Sequence, residues 1–239
     1  MGAELWSLGC AAISVGFLHT LLGPDHYLPF VAMSRAGGWS NRKTLVVTAL
    51  CGVGHVGSSV VLGFLGIALG IAMNRLEGVE ESRAALAAWL LIGFGLAYLT
   101  WGIVRAVRAR THSHVHVHSD GAVHAHPHQH HSGHLHSHDA RPAGKPDRMT
   151  PWILFTIFIF GPCEPLIPLV MYPAAENSVS GVAIVTLLFS LATLLTMTLA
   201  VRLLVGGFNL LRFSTWVRFG DALAGGVVLA CGMAVKFGL

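Results

Sequence analysis

Long apolar runs separated by short polar segments make up most of the chain. Six of these runs reach the roughly 20 apolar residues that a membrane-spanning helix needs. They lie at about residues 4–33, 44–73, 84–105, 151–172, 181–205 and 217–238. The pattern therefore predicts an all-α membrane protein with six transmembrane helices. A polar segment, residues 106–150, separates the first three runs from the last three.

The composition agrees with a membrane protein. Of 239 residues, 54% are hydrophobic and 11% are charged, well below the roughly 25% charged residues of ordinary soluble domains. The net charge of +4 comes mainly from basic residues beside the apolar runs, which is typical of membrane anchoring and not of nucleic-acid binding. The four cysteines lie singly without a CxxC pair, so no disulfide framework is predicted. No basic residue precedes the first run, which we therefore interpret as a retained span and not a cleaved signal.

Most of the basic residues lie at one end of the predicted helices. Twelve of the 15 Lys and Arg residues follow the first run, surround or occupy the central polar segment, or precede the sixth run. Since short cytoplasmic loops are enriched in Lys and Arg, we expect this face to be cytoplasmic in the inner (plasma) membrane, with both termini outside. The twelve residues are Arg35, Arg42, Lys43, Arg105, Arg108, Arg110, Arg141, Lys145, Arg148, Arg202, Arg212 and Arg218.

Two related motifs interrupt the first and the fourth apolar run. GPDHYLPF, which begins at Gly23, aligns with GPCEPLIP, which begins at Gly161, so that Pro24 corresponds to Pro162. Proline breaks a helix because it lacks the N–H group and clashes with the preceding turn. The simplest explanation is a pair of proline kinks whose freed backbone groups are satisfied by neighbouring helices. A kink alone does not explain the ionisable residues beside both motifs.

Three predicted spans on each side of the central segment give the two halves opposite orientations. Corresponding Gly/Pro-broken helices are typical of inverted-topology repeats, in which the breaks meet near the midplane and form the substrate site. We therefore predict two inverted three-helix repeats, residues 1–105 and 151–239, with helices one and four broken. Residues 106–150 are expected to form a cytoplasmic loop that is largely disordered, because its polar composition cannot bury a core.

Ionisable side chains lie within the apolar runs, at the breaks and near them. Placing one at the bilayer centre costs at least about 2.5–3.5 kcal/mol, so each is a functional candidate by default. Imidazole and carboxylate ligands together suit divalent transition metals, whereas Mg²⁺ and Ca²⁺ prefer oxygen ligands alone. We expect a metal transport site formed by His19, Asp25, His26, His55 and Glu164.

Two residues of this neighbourhood also have simpler explanations. His55, in the segment GHVGSS, is equally well explained by a hydrogen bond between helices. Cys163 is a candidate ligand, although a lone cysteine is more often a small buried apolar residue. No arginine is expected at mid-span, which favours a cation over an anion as the bound species.

Twelve of the 15 histidines lie in one tract of the central segment, residues 112–138. Neutral imidazoles bind Ni²⁺, Co²⁺, Cu²⁺ and Zn²⁺ with little selectivity, so we expect the tract to buffer metal at the cytoplasmic face. The alternative is a pH-responsive linker, since histidine changes charge near pH 6.5. The histidines are His112, His114, His116, His118, His124, His126, His128, His130, His131, His134, His136 and His138.

The motifs at the two breaks resemble a known family. HTLLGPDH, residues 19–26, together with FGPCEPLIPL, residues 160–169, is similar to the nickel/cobalt transporter (NiCoT) superfamily, in particular to its six-span UreH-like branch. The eight-span members carry an HxxxxDH signature, which His19, Asp25 and His26 match in residue type with one more residue in the spacing. The resemblance implies a transporter of Ni²⁺ or Co²⁺, with Zn²⁺ as a further candidate cargo, and not an enzyme.

Two other activities stay open within the wider superfamily. Thiol-disulfide carriers of the DsbD/CcdA type use a proline-flanked cysteine in each half; Cys163 resembles one of them, but Asp25 stands at the matching position of the first half. Exporters of other small solutes share the broken-helix architecture. For the metal transporter we expect no prosthetic group. The expected partners are divalent metal ions, the lipid bilayer and cytoplasmic metallochaperones, with no nucleic acid, and both import and export fit the sequence.

Overall fold

The computed structural model describes residues 2–108, 112–117, 123–128, 149–176, 178–210 and 219–238. Within these residues the chain forms eight α-helices, with one two-stranded sheet in the central segment. The helices are α1 Gly2–Leu22, α2 Leu28–Ala36, α3 Asn41–Ala68, α4 Met73–Arg108, α5 Met149–Phe160, α6 Leu166–Ala175, α7 Val179–Leu210 and α8 Gly220–Phe237. The strands are β1 His112–Val117 and β2 Val123–His128.

Five of the helices, α1, α3, α4, α7 and α8, are long and apolar enough to cross a membrane. Their outer surfaces are apolar as well. On α7, Leu195, Leu199 and Leu203 form one stripe at four-residue spacing, and each is more than half exposed. Such a stripe is favourable against lipid and unfavourable against water. The helices therefore indicate a multi-pass membrane protein, as the apolar runs predicted.

The first and the fourth apolar run are each divided into two helices. Residues 23–27, here called the first break, separate α1 from α2 and contain a single 3-10 turn at Pro24–His26. Residues 161–165, the second break, separate α5 from α6. Helices α5 and α6 have 12 and 10 residues, and each alone is shorter than a membrane span. The interruptions thus occur at the two Gly-Pro motifs.

Helix α4 is longer than the sequence predicted. It begins at Met73, whereas the apolar run begins near residue 84, and it has 36 residues. The expected boundary fell at the charged residues, but Arg83 and Glu80 pair inside the helix at 2.6 Å between Nη1 and Oε1. Arg83 and Glu80, which the sequence placed before the third span, thus lie within a continuous helix, where mutual pairing makes the two charges tolerable.

The long helices pack in pairs. Helix α4 lies along α8, α1 along α7, and α3 against both α5 and α7. Glycines allow α4 and α8 to approach closely: a Cβ atom on Gly225 would collide with the backbone of Leu99, and one on Gly102 with the backbone of Ala222. Small residues at such crossings are the usual means by which membrane helices make close contact.

The central segment contains a β-hairpin where no regular structure was predicted. Strands β1 and β2 pair antiparallel, and their register aligns His112 with His128, His114 with His126 and His116 with His124. The segments HSHVHV and VHAHPH alternate residue types with period two, which is a strand pattern. The polarity of the segment predicted disorder, whereas the alternation of residue types favours strands. His118, His130, His131, His134, His136 and His138 lie outside the described residues.

Candidate metal centre

The first break follows from its proline. The N–H of Gly23 still donates to the carbonyl of His19 at 3.1 Å, but Pro24 has no N–H with which to continue α1. The chain then makes one tight turn, in which the N–H of His26 donates to the carbonyl of Gly23 at 3.1 Å. This turn contains Asp25 and His26, and His26 is only 4% exposed.

The second break has the same cause. The N–H of Gly161 donates to the carbonyl of Ile157 at 3.0 Å, and Pro162 then ends α5. The chain resumes its helical course where the N–H of Leu166 donates to the carbonyl of Cys163 at 2.9 Å. Within this turn Cys163 points into the protein and is fully buried, whereas the next residue, Glu164, is exposed.

Four potential metal ligands meet between the two breaks. One ligand atom each from His19 on α1, His55 on α3 and Cys163 lie within 4.8 Å of one another. The ring of His26 lies beside both of these imidazoles, with its centroid 4.8 Å from that of His19 and 5.1 Å from that of His55. We call these four residues the His/Cys cluster. All four cysteines of the chain, Cys163 included, are free.

The imidazoles of the cluster have nitrogens without partners. His19 Nε2, His26 Nε2 and both ring nitrogens of His55 are buried, and none makes a well-formed hydrogen bond among the described residues, although the backbone of Phe158 lies close to the His55 ring. A buried polar atom without a partner costs about 1–3 kcal/mol, and such atoms in native proteins require an explanation. A cation that binds one lone pair of each ring is the simplest explanation.

Asp25 orients His26. The Oδ1 atom of Asp25 lies 3.3 Å from His26 Nδ1, and the carbonyl oxygen of Gly23 lies 3.1 Å from the same nitrogen. Both are acceptors, so they favour the tautomer with hydrogen on Nδ1, which leaves the lone pair on Nε2. A carboxylate behind a ligating histidine is the usual outer-shell arrangement in metal sites, where it fixes the ring orientation and raises the basicity of the ligand.

The cluster encloses little space. A cavity of about 20 Å³ is bounded by Asp25, His26, His55 and the second break, and closed by apolar side chains that include Phe158. The ring of Phe158 packs on Phe30 with centroids 4.6 Å apart. One water needs about 10–15 Å³ measured this way, so the cavity accepts a single water or a dehydrated ion.

The dimensions of the cluster fit a transition-metal ion after a small contraction. Metal–nitrogen distances of about 2.0–2.1 Å and metal–sulfur distances of about 2.3 Å place tetrahedral ligands about 3.6 Å apart. The ligand atoms of His19, His55 and Cys163 lie within 4.8 Å of one another, so the separations among these three need to shorten by little more than about 1 Å. Imidazole nitrogen with thiolate sulfur is a ligand set for borderline and soft divalent ions and not for Mg²⁺ or Ca²⁺.

The structure brings together most of the residues that the sequence proposed for the site. His19, Asp25, His26 and His55 lie in one neighbourhood, joined by Cys163. Glu164 does not face Asp25 and His26 as expected. Its side chain lines a different cavity beside the N-terminal part of α4, because adjacent residues of the tight turn point in opposite directions.

Two residues near the cluster were overlooked in the sequence. Glu80 is 1% exposed, and Arg83 donates to it and to the carbonyl oxygens of Ile159 and Gly161, at 2.8 and 3.3 Å. The guanidinium thus occupies the end of α5, where unpaired carbonyls attract positive charge. The i, i+3 spacing of an acid and a base on one helix was the signal that pointed to this pair.

The chain was compared with models of known protein families, with curated proteins and with solved structures, and none of the three comparisons found a match.

Proposed function

We propose that this protein transports a divalent transition-metal ion, Ni²⁺ or Co²⁺, through the His/Cys cluster. The observation that supports this most strongly is the convergence of unpartnered imidazole nitrogens and a buried thiol between two helix breaks. Ionisable residues inside a membrane bundle mark ion pathways as a rule. A site reached by broken helices releases its ion when the surrounding helices move, which suits a transporter better than a permanent metal centre.

The helix pairing supports an inverted-repeat architecture with six spans. We count α1 with α2 as one span and α5 with α6 as the fourth. In an inverted repeat, α1 then corresponds to α5, α3 to α7 and α4 to α8. The contact of α1 with α7 therefore corresponds to that of α5 with α3, and the contact of α4 with α8 corresponds to itself. All of these pairs are in contact, as a twofold relation between the halves requires. Rocking of the halves would then open the cluster to each side of the membrane in turn.

The proposed orientation places the hairpin in the cytoplasm of the cell, below an inner (plasma) membrane. Helix α4 ends at Arg105 and Arg108, and such basic ends favour the cytoplasmic side. The register of the hairpin aligns three histidine pairs across the two strands. We propose that this tract buffers the metal at the cytoplasmic face, whichever direction the cargo travels.

Transport by reconstituted protein tests the proposal. Full-length protein in liposomes that contain a metal-sensitive dye should admit Co²⁺ and Ni²⁺. His26→Ala and His55→Ala should each lower the initial rate at least about tenfold, as loss of a ligand or of its support generally does. His124→Ala, a histidine of the hairpin, serves as the matched control and should retain most of the rate. Undiminished flux in both cluster variants, at equal incorporation, would contradict the proposal.

A further inference from the structure

A second polar cavity lies beside the N-terminal part of α4 and the second break. Its volume is about 690 Å³, and its wall includes four carboxylates, those of Glu77, Glu80, Glu81 and Glu164. A divalent ion with six waters occupies roughly 180 Å³ at about 30 Å³ per water. The cavity is therefore large enough for an ion that keeps its hydration shell, unlike the small cavity at the His/Cys cluster.

Glu80 distinguishes this cavity from a chance group of surface acids. Its side chain is 1% exposed, and only Oε1 meets a cation, Arg83 Nη1 at 2.6 Å. The other oxygen, Oε2, is buried without a hydrogen-bond partner among the described residues. A half-satisfied buried carboxylate is costly, and this one belongs to the cavity wall. A small rotation of the side chain would bring this oxygen to an ion or an ion-bound water in the cavity, which would supply the missing partner.

Arg83 connects the wall of the acidic cavity to the second break, because it pairs with Glu80 and also donates to residues at the break. Its guanidinium donates to Ser58 Oγ at 2.5 Å and to Ser59 Oγ at 3.2 Å on α3, and also to the carbonyl of Gly161. Gly161 in turn borders the small cavity that contains His55. The side chain thus lies between the acidic cavity and the His/Cys cluster, and it places a positive charge on the route from one to the other.

The acidic cavity and the histidine hairpin lie near opposite ends of α4. Glu81 and Arg108 are separated by 27 residues of continuous helix, a length of about 40 Å at 1.5 Å per residue. That length exceeds the roughly 30 Å of the hydrocarbon core. With the hairpin on one face of the membrane, the acidic cavity opens towards the other.

We propose that the acidic cavity binds a hydrated divalent cation, held by Glu77, Glu81 and Glu164, towards which Glu80 turns its unpaired oxygen. Binding of a cation in this cavity does not depend on the transport function. The further claim, that the cavity is the entrance to the His/Cys cluster, rests on the proposed function. In that role the ion enters hydrated and attracts Glu80 away from Arg83. The path to the imidazoles then opens, and the ion sheds its waters there.

Binding of Mn²⁺ tests the site directly, because Mn²⁺ prefers oxygen ligands. Free Mn²⁺ would be measured by electron paramagnetic resonance during titration of the full-length protein in detergent. The test variant is Glu77→Gln/Glu81→Gln, which changes two exposed side chains of α4 and so spares the core. Glu176→Gln, an exposed carboxylate at the end of α6, is the control. We expect the double variant to lose one bound Mn²⁺ per chain and the control to lose none.

The outcomes separate this proposal from the proposed function. Equal Mn²⁺ binding by the wild-type protein and the double variant, or an equal loss in the Glu176→Gln control, would overturn the acidic site. If Mn²⁺ binding is lost in the double variant while the wild-type protein moves no Co²⁺, the site stands and the transport function fails. If both hold, the double variant should raise the Co²⁺ concentration for half-maximal flux. That increase should shrink at high ionic strength, where attraction by exposed charges is screened.

Discussion

Gly161 lies directly against His55: a Cβ atom on the glycine would come within 2.8 Å of His55 Nδ1. Gly23 has the same relation to His26, whose Nδ1 would be 2.6 Å from a Cβ atom at that position. Each glycine therefore gives space to an imidazole as well as ending a helix. Each break and an imidazole beside it thus form one structural unit, in which a larger residue displaces the ring.

Replacing Gly161 should impair metal binding with little effect on folding. Gly161→Ala should move His55 out of the cluster and weaken Co²⁺ binding by at least about tenfold, in the range seen when the support of a ligand is removed. Gly57 lies on α3, two residues after His55. Gly57→Ala is the matched control because a Cβ atom there meets nothing within 4 Å. Titration of both variants with Co²⁺, followed by the thiolate-to-cobalt absorption that the cysteine-free histidine tract cannot produce, checks this, and equal affinities would refute the steric role of Gly161.

Replacing Cys163 distinguishes metal transport from thiol-disulfide exchange. Serine keeps the size of the side chain but offers a neutral hydroxyl in place of a thiolate ligand. Cys163→Ser should therefore raise the Co²⁺ concentration for half-maximal flux about tenfold or more, with flux still measurable at saturation. Cys10→Ser, an exposed thiol, should change nothing. A thiol-disulfide carrier would instead lose all transfer of reducing equivalents across the membrane in Cys163→Ser, with no Co²⁺ flux in any variant.

The sequence predicted the breaks and their histidines, because glycine, proline and ionisable residues stand out against apolar runs. It did not predict which of the two residues after Pro162 faces the interior of the protein. Cys163 and Glu164 are adjacent, and their directions depend on the dihedral angles of a five-residue turn that residue types do not determine. The start of α4 at Met73 was missed for a related reason. Hydropathy counts Glu80 and Arg83 as obstacles to a span, whereas in the fold they neutralise each other.

The ion pair of α4 should be tested by a double-mutant cycle. Arg83→Gln leaves Glu80 as a buried charge with no partner, which costs about 3–5 kcal/mol, so the thermal unfolding temperature in detergent should fall steeply. Adding Glu80→Gln removes that charge and should restore part of the loss. A double variant as unstable as the sum of the two single variants would show that the residues act independently.

Close packing of α4 on α8 gives a matched pair of neighbouring glycines. Gly225→Ala would press a methyl group into the backbone of Leu99, which no side-chain rotation can relieve, and overpacking of this kind costs about 1–3 kcal/mol. Gly226→Ala meets nothing within 4 Å and should leave stability unchanged or slightly higher, since alanine favours the helix. Thermal unfolding of the two variants in the same detergent measures the difference. Equal stabilities of the two variants would mean that α4 and α8 are farther apart than the structure shows.

Cobalt absorption tests the His/Cys cluster most directly. Histidines of the central segment also bind Co²⁺, but the tract contains no cysteine, so a thiolate-to-cobalt charge-transfer band in the near ultraviolet reports a site with a cysteine ligand and not the tract. Titration of the full-length protein should raise this band to a plateau equivalent to one Co²⁺ per chain. The band should be absent from Cys163→Ser and His55→Ala and retained in Cys51→Ser. No band in the wild-type protein, or a band that survives Cys163→Ser, would contradict a metal site between the two breaks.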